Sequence, residues 1–456
     1  MRLPNRLPLW TLFALAGLSP TVACAQTAAN LAALQGLVPV SALGATAAGK
    51  AALASDESVT LAIQTGSAQQ PTLLPFAQQQ QQALRDAYIT SGNGTELADG
   101  LGSRLGGIYQ SLTAYSSTDD GTTKTFKNVS PSVANLFAYT NAVTSADAGS
   151  GKFFFSNGTL NGKKPVSSAA TAIMTAAGGV TDIFGVSTGH PIGSSGADPF
   201  GDSRPFQTEP SLTPIKGRDF FGVMATNHDY LYGPTQDLTT NPSFPSGHTT
   251  YGYTESLVLA FLAPARFQQQ VTRAAEYGND RIILGAHYAM DVIAGRTLAL
   301  HDVAQLLAEK PDYVGKTLKG AKPISDYQAA VTAARADFDA AMQAGCKMTV
   351  PVCASEDTSR FANPAANEAF YESTQTYGLP VVHENTANSV EDVAKIAPEA
   401  GNLLTVAFPA LTLTQADAIL TATEGPGGGF LDNGSAFGLY SRLDLFKAVG
   451  KAQAAK

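Results

Sequence analysis

Arg204, His248, Arg281, His287 and Asp291 are residue types that could act together on one anion. In the stretch from Asn241 to Thr250, Pro242 and Pro245 cannot continue a helix backwards. The run from Thr249 to Ala263 then turns apolar all round and stops at Pro264, which puts Ser246, Gly247 and His248 on the first turn of a buried helix. A helix start leaves about four backbone N–H groups without partners and carries roughly half a positive charge. Gly247 has no side chain to block an approaching phosphate, so the spot reads as an anion site. Further along come Arg281, His287 and Asp291, with five and then three residues between them. Residues four apart share a helix face, so Asp291 can hold one ring nitrogen of His287 as N–H while the other nitrogen's lone pair points outward. That is the logic of a nucleophile with an orienting carboxylate. Taken singly, each residue has a plainer reading: Arg281 as a surface ion pair, His248 as a solvated residue near a helix cap, His287 and Asp291 as half a metal site. Neither His190, His228 nor His301 has the spacing to complete a metal cage, so no metal is expected.

In order, Arg204-Pro205, Pro245-Ser246-Gly247-His248 and Arg281-x5-His287-x3-Asp291 resemble the three-part signature of the type 2 phosphatidic acid phosphatase superfamily, which includes bacterial non-specific acid phosphatases and vanadium haloperoxidases. The resemblance covers roughly residues 204–301. It implies an all-α fold, a helical bundle of the acid phosphatase/vanadium haloperoxidase type with irregular N-terminal and C-terminal additions. It also implies roles: His287 as the nucleophile of a phosphohistidine intermediate, Asp291 as its orienter, and His248 as the general acid and then base. Arg204, Arg281 and the N–H groups around Ser246 and Gly247 would clamp the phosphoryl oxygens. The implied activity is that of an exported, metal-independent acid phosphatase acting on a small phosphorylated substrate without a cofactor. The resemblance admits two alternatives, a vanadate-dependent haloperoxidase and a non-catalytic phosphate or phospholipid binder. Two features depart from the signature: members carry a lysine seven residues before the arginine of the Arg-Pro pair, where this chain has Ala197, and commonly a serine before the arginine of the third block, where it has Asp280. Lys216, in the same segment as Ala197, is the first candidate to replace the lysine, ahead of Lys163 and Lys164.

The elements expected to position these residues are helical. Residues 26–75 read as irregular wrapping with one or two short helices. Helices are expected at Phe76–Ile89, around its five-glutamine run, and at Thr95–Tyr115. Another is expected around Val133–Thr144, followed by a loop or hairpin over Gly149–Lys164, with Phe153–Phe155 as a core cluster or a substrate mouth. Pro264–Tyr277 reads as a helix closed by Gly278, and His287–Glu309 as a long helix. The expected organisation is residues 1–25 as a signal peptide, 26–115 packed on a core spanning 116–310, and 311–456 as a C-terminal helical extension.

With 44% hydrophobic and 14% charged residues, the 456-residue chain can bury a sizeable core. Arg2 and Arg6, the apolar run from Leu9 to Leu18 and Ala23-Cys24-Ala25 have the layout of a cleaved signal peptide, with a lipid anchor on Cys24 as the alternative. The apolar run is too short to span a bilayer, so a periplasmic or secreted protein without a transmembrane span is expected. The formal net charge of −8 becomes two units more negative once Arg2 and Arg6 leave, which argues against nucleic acid as a partner. Cys346 and Cys353 then remain, close enough in sequence for a disulfide in an oxidising compartment, with two buried thiols as the other reading. The sequence does not set the oligomeric state.

Overall fold

The computed structural model describes residues 26–68, 71–117, 124–179, 182–209 and 211–455. The expected signal segment 1–25, with Cys24, lies outside the described residues. Among them are 21 α-helices and two short antiparallel ribbons, β1 (Tyr115–Ser117) with β2 (Lys124–Phe126) and β3 (Lys216–Arg218) with β4 (Met224–Thr226). The fold is all-α, as expected. The helices run α1 (Ala28–Leu37), α2 (Ala47–Thr65), α3 (Phe76–Arg85), α4 (Ser103–Leu112) and α5 (Pro131–Asn157). Four short ones follow, α6 (Ser168–Ala176), α7 (Ile183–Ser187), α8 (Pro205–Thr208) and α9 (Asn227–Leu231), before α10 (Gly247–Leu262), α11 (Phe267–Ile283), α12 (Ala289–Leu307) and α13 (Tyr327–Cys346).

Helix α10 is the hub. Ser246 caps it by accepting the Thr249 N–H at 3.1 Å, and every residue from Thr249 to Leu262 is buried. A helix apolar on all sides needs neighbours on all sides, and α5, α11, α12 and α13 supply them.

Four local expectations are corrected. The chain does not leave the helix near Thr144: α5 continues to Asn157 through Ala-Gly-Ser-Gly. Gly151 is there for contact, since a Cβ on it would stand 3.0 Å from Pro245 Cδ in the loop before α10. The same turns bury Phe154 and Phe155, and Phe155 packs edge-on against Phe244 of that loop, which is the core reading of the phenylalanine cluster. Gly278 does not close α11. It sits mid-helix, where a Cβ would meet Val292 at 3.0 Å and Thr249 at 3.2 Å, so close helix contact and not a turn explains the glycine. The long helix begins at Ala289, leaving His287 in the turn before it. Finally, residues 47–65 are a full helix, not irregular wrapping, and α2 has a structural task. Asp56 accepts the Met290 N–H at 2.9 Å and Thr60 the Ala289 N–H at 3.1 Å, satisfying the first orphan donors of α12 from another part of the chain.

Residues 28–45 are long and apolar enough to cross a membrane by composition. They break, however, into α1 and a 3-10 turn at Val38-Pro39, and Leu34, Leu37, Val40 and Leu43 are buried in the core. The C-terminal helices pack on α11 and α12. Buried Arg296 ties them down through the carbonyls of Thr374, Gln375 and Ser441 at 2.9–3.0 Å. Cys346 and Cys353 are joined as a disulfide.

Candidate active site

His287 is fully buried at the turn between α11 and α12, and Asp291 occupies the first turn of α12. One carboxylate oxygen of Asp291 does three things. It accepts the Tyr288 N–H at 2.9 Å, capping the helix, accepts the Ser243 hydroxyl at 2.5 Å, and lies 3.2 Å from His287 Nδ1. The expected orienting contact is therefore present, although only Asp291 is helical. With Nδ1–H directed to Asp291, Nε2 carries the lone pair, and Arg204 Nη1 donates to it at 3.0 Å.

The Arg204 side chain is held on every remaining donor. Its Nε bonds the Asn241 carbonyl at 2.7 Å, Nη1 the Ala286 carbonyl at 2.8 Å, and Nη2 the Asn241 side chain at 2.9 Å and the Pro242 carbonyl at 3.0 Å. Such a guanidinium cannot wander, so it fixes the Asn241–Ser243 strand of the loop against the His287 turn. The ring of His248, on the first turn of α10, lies 6.5 Å from that of His287 centre to centre. The two ring planes are tilted by 56° to each other. A cavity of about 120 Å³ opens beside His248, lined by Tyr88, Tyr230, Thr235 and Gln236 among others.

Arg281, near the end of α11, is buried and stacks over the Tyr277 ring at 4.6 Å, with one guanidinium nitrogen donating to the Asp86 carbonyl. Asp86 is itself clamped by Arg273 through two contacts of 2.5 and 2.7 Å. Arg281 is thus a buried, braced cation and not a surface ion pair. Ser246 Oγ accepts the Thr249 N–H at 3.1 Å and the Thr249 hydroxyl at 2.9 Å, which caps α10.

Lys216 stands exposed on β3, its carbonyl taken by Gln81, and Lys163 and Lys164 are exposed in the turn after α5. A further cation near His287 comes from α5. Lys152 Nζ donates to the carbonyls of Pro242 at 2.9 Å and Ser243 at 3.3 Å, and its Cε passes 3.6 Å from where a Cβ on Gly247 would sit. Burial, with Arg204 close by, pulls its pKa down to about 7. Burial first, then Arg204, Lys152, His248 and Arg281, hold His287 well below the ordinary imidazole value. Burial pushes Asp291 up, while Ser243 and the Tyr288 N–H pull the other way. Asp202, also missed in sequence, accepts the Phe244 N–H at 2.7 Å, and burial beside Asp291 raises its pKa well above the carboxylate range. Among the described residues, no group of three or more His, Cys, Asp or Glu side chains is placed to hold a metal ion.

Residues 197–304 match the family model of the PAP2 superfamily. The chain is similar to a non-specific acid phosphatase of Providencia stuartii, 32% identical over 145 residues, which cover 29% of this chain and 56% of the relative. It is also similar to one of Salmonella typhimurium, 45% identical over 69 residues covering 15% and 28%. An acid phosphatase of Zymomonas mobilis is 42% identical over 71 residues covering 16% and 27%. The chain thus spans between about a quarter and just over half the length of these relatives.

Proposed function

From residues 197–304, which belong to the PAP2 superfamily, we propose that the chain is an acid phosphatase hydrolysing small phosphomonoesters through a phosphohistidine. The observation that carries this is the pair His248 and His287, their ring centres 6.5 Å apart, with Arg204 donating to His287 Nε2.

An arriving phosphate takes the Arg204 Nη1 donor from His287 Nε2 and frees the lone pair for attack. The Nε2–P bond forms as the P–O bond to the leaving group breaks, and protonated His248 gives its proton to the leaving oxygen. The ring of His287 becomes cationic, its Nδ1–H held by Asp291. Water then attacks phosphorus, passing its proton to His248, and the P–N bond breaks to release phosphate. The lowered pKa of His287 keeps its ring neutral, as attack requires, into acidic conditions.

The relatives' names support the phosphatase class, and the Arg2-to-Ala25 layout supports export to the periplasm or beyond. The test is hydrolysis of an aryl phosphate by the mature protein in EDTA. Hydrolysis lost in His287→Ala, with a phosphate-labelled histidine trapped by alkaline quench in the native chain, is the expected result. Turnover that survives the substitution overturns the reading.

A further inference from the structure

We infer that Lys152, on α5 and outside the matched segment, is the cation that binds the phosphoryl oxygens in place of the lysine that Ala197 replaces. The inference rests on the anion site proposed above, but its test needs no turnover.

The approach of Gly151 to Pro245 brings the last turns of α5 against the loop that leads into α10. The next residue, Lys152, then runs past Gly247, and its ammonium stops at the carbonyls of Pro242 and Ser243. Arg204 Nη2 shares the Pro242 carbonyl, so the two cations flank one peptide unit. Ser243 lies next to that unit, and its hydroxyl holds Asp291. Lys152 is therefore built into the frame that positions His287, beside the first turn of α10. Two neutral carbonyls are weak compensation for a half-buried ammonium, and a like charge stands near it. A dianion between His248 and His287 supplies what is missing.

The titratable and charged groups around Lys152 are Arg204, Asp202 and Asp291, with His287 and His248 across the site. Burial and Arg204 lower its pKa to about 7, against Asp202 and Asp291, which raise it. Phosphate binding above that pH should therefore draw a proton onto Lys152.

The readout is binding of inorganic phosphate by calorimetry, repeated in buffers of different ionisation enthalpy at pH 8. The native chain should take up a proton on binding. Lys152→Met should bind phosphate roughly 10- to 100-fold more weakly with that uptake lost. Lys152→Arg, charged throughout, should retain most of the affinity, lose the uptake, and keep its affinity from pH 7 to 9 where the native chain weakens. A Lys152→Met protein that melts earlier yet binds phosphate as before makes Lys152 a staple between α5 and the loop, and overturns the inference. Should Lys152→Met not fold, proton uptake equal in Lys152→Arg and the native chain overturns it as well. Phosphate binding that depends on Lys152 in a chain hydrolysing no ester would sink the catalytic reading alone.

Discussion

Helix α12 and the turn before it hold two buried histidine–aspartate pairs that share a contact geometry and differ in surroundings. At its start, His287 Nδ1 lies 3.2 Å from Asp291; in its fourth turn, His301 Nδ1 lies 2.9 Å from Asp302. Both imidazoles are held below their ordinary pKa, chiefly by burial, His301 at about 4. What stands around them separates them. His287 has Arg204, Lys152 and Arg281 near it and His248 opposite. His301 has the rings of Tyr313, Phe437 and Tyr440, and behind Asp302 a second carboxyl, Asp147, hydrogen-bonded to it. A His–Asp pair orients a proton; cations decide whether an anion comes to it. The first pair has the charge for a phosphate, while the second has acids and aromatic walls.

The sharpest way to break this contrast is to remove each imidazole. His287→Ala should lower kcat for an aryl phosphate by on the order of 10⁴-fold or more, while His301→Ala should leave kcat within about threefold. Steady-state kinetics on the two purified proteins reads both. Equal losses would mean that the surroundings do not distinguish the pairs. The next largest effect concerns the cations. Arg204→Gln removes one charge that depresses His287 and one phosphate donor. The value of kcat/KM should fall roughly 10- to 100-fold, and the acid limb of its pH profile should move to higher pH. The sign follows because less positive charge near the ring lets it accept a proton more easily. Burial, the larger cause, remains, so the limb stays below that of a free histidine. An acid limb that stays in place would mean that another group sets it.

The same contrast bounds what the sequence could tell. His248, His287, Asp291 and Arg204 were legible because their spacing is fixed by short segments: a capped helix start, and a turn running into a helix. Lys152 was not legible. It lies 52 residues upstream of Arg204, on a helix that the glycines of Ala148-Gly149-Ser150-Gly151 made look finished. Local propensity suggested a break, and packing of Gly151 on Pro245 overrode it. Gly278 misled in the same way, a contact glycine read as a stop. Asp56 and Thr60 could not have been linked to α12 either, since capping from another helix leaves no local pattern. Ser243 was within reach: it stands inside the loop singled out for the anion site, but only the fold shows its hydroxyl turned to Asp291.

A smaller effect tests the second pair. Burial raises both Asp147 and Asp302 above their unfolded values. A carboxyl raised on folding favours the native state while protonated, and this contribution is lost as pH climbs from about 4 through the raised values. Asp147→Asn removes one of the two ionisations and keeps an oxygen for the Asn30 side chain that donates to this residue. The variant should melt higher than the native chain at pH 8, by on the order of 1 kcal/mol, with no gain at pH 4. A lower melting temperature at both values would show that the carboxylates are compensated in a way the surrounding aromatic residues do not suggest.

The smallest effect returns to the start of α12, where position matters more than charge. Asp56 on α2 accepts the Met290 N–H one residue before Asp291, and burial followed by the nearby Asp291 pushes its pKa well above the carboxylate range. Its contribution is thus an acceptor for an orphan N–H, and a neutral oxygen serves as well. Asp56→Ala should cost about 1 kcal/mol of stability and lower kcat only a fewfold, because Tyr288 and Ser243 still hold the Asp291 carboxylate. Asp56→Asn should restore both quantities nearly to native. A large loss of kcat with unchanged melting in Asp56→Ala would mean that α2 tunes the charge on Asp291, extending the electrostatic frame of the first pair to a helix that here only caps it.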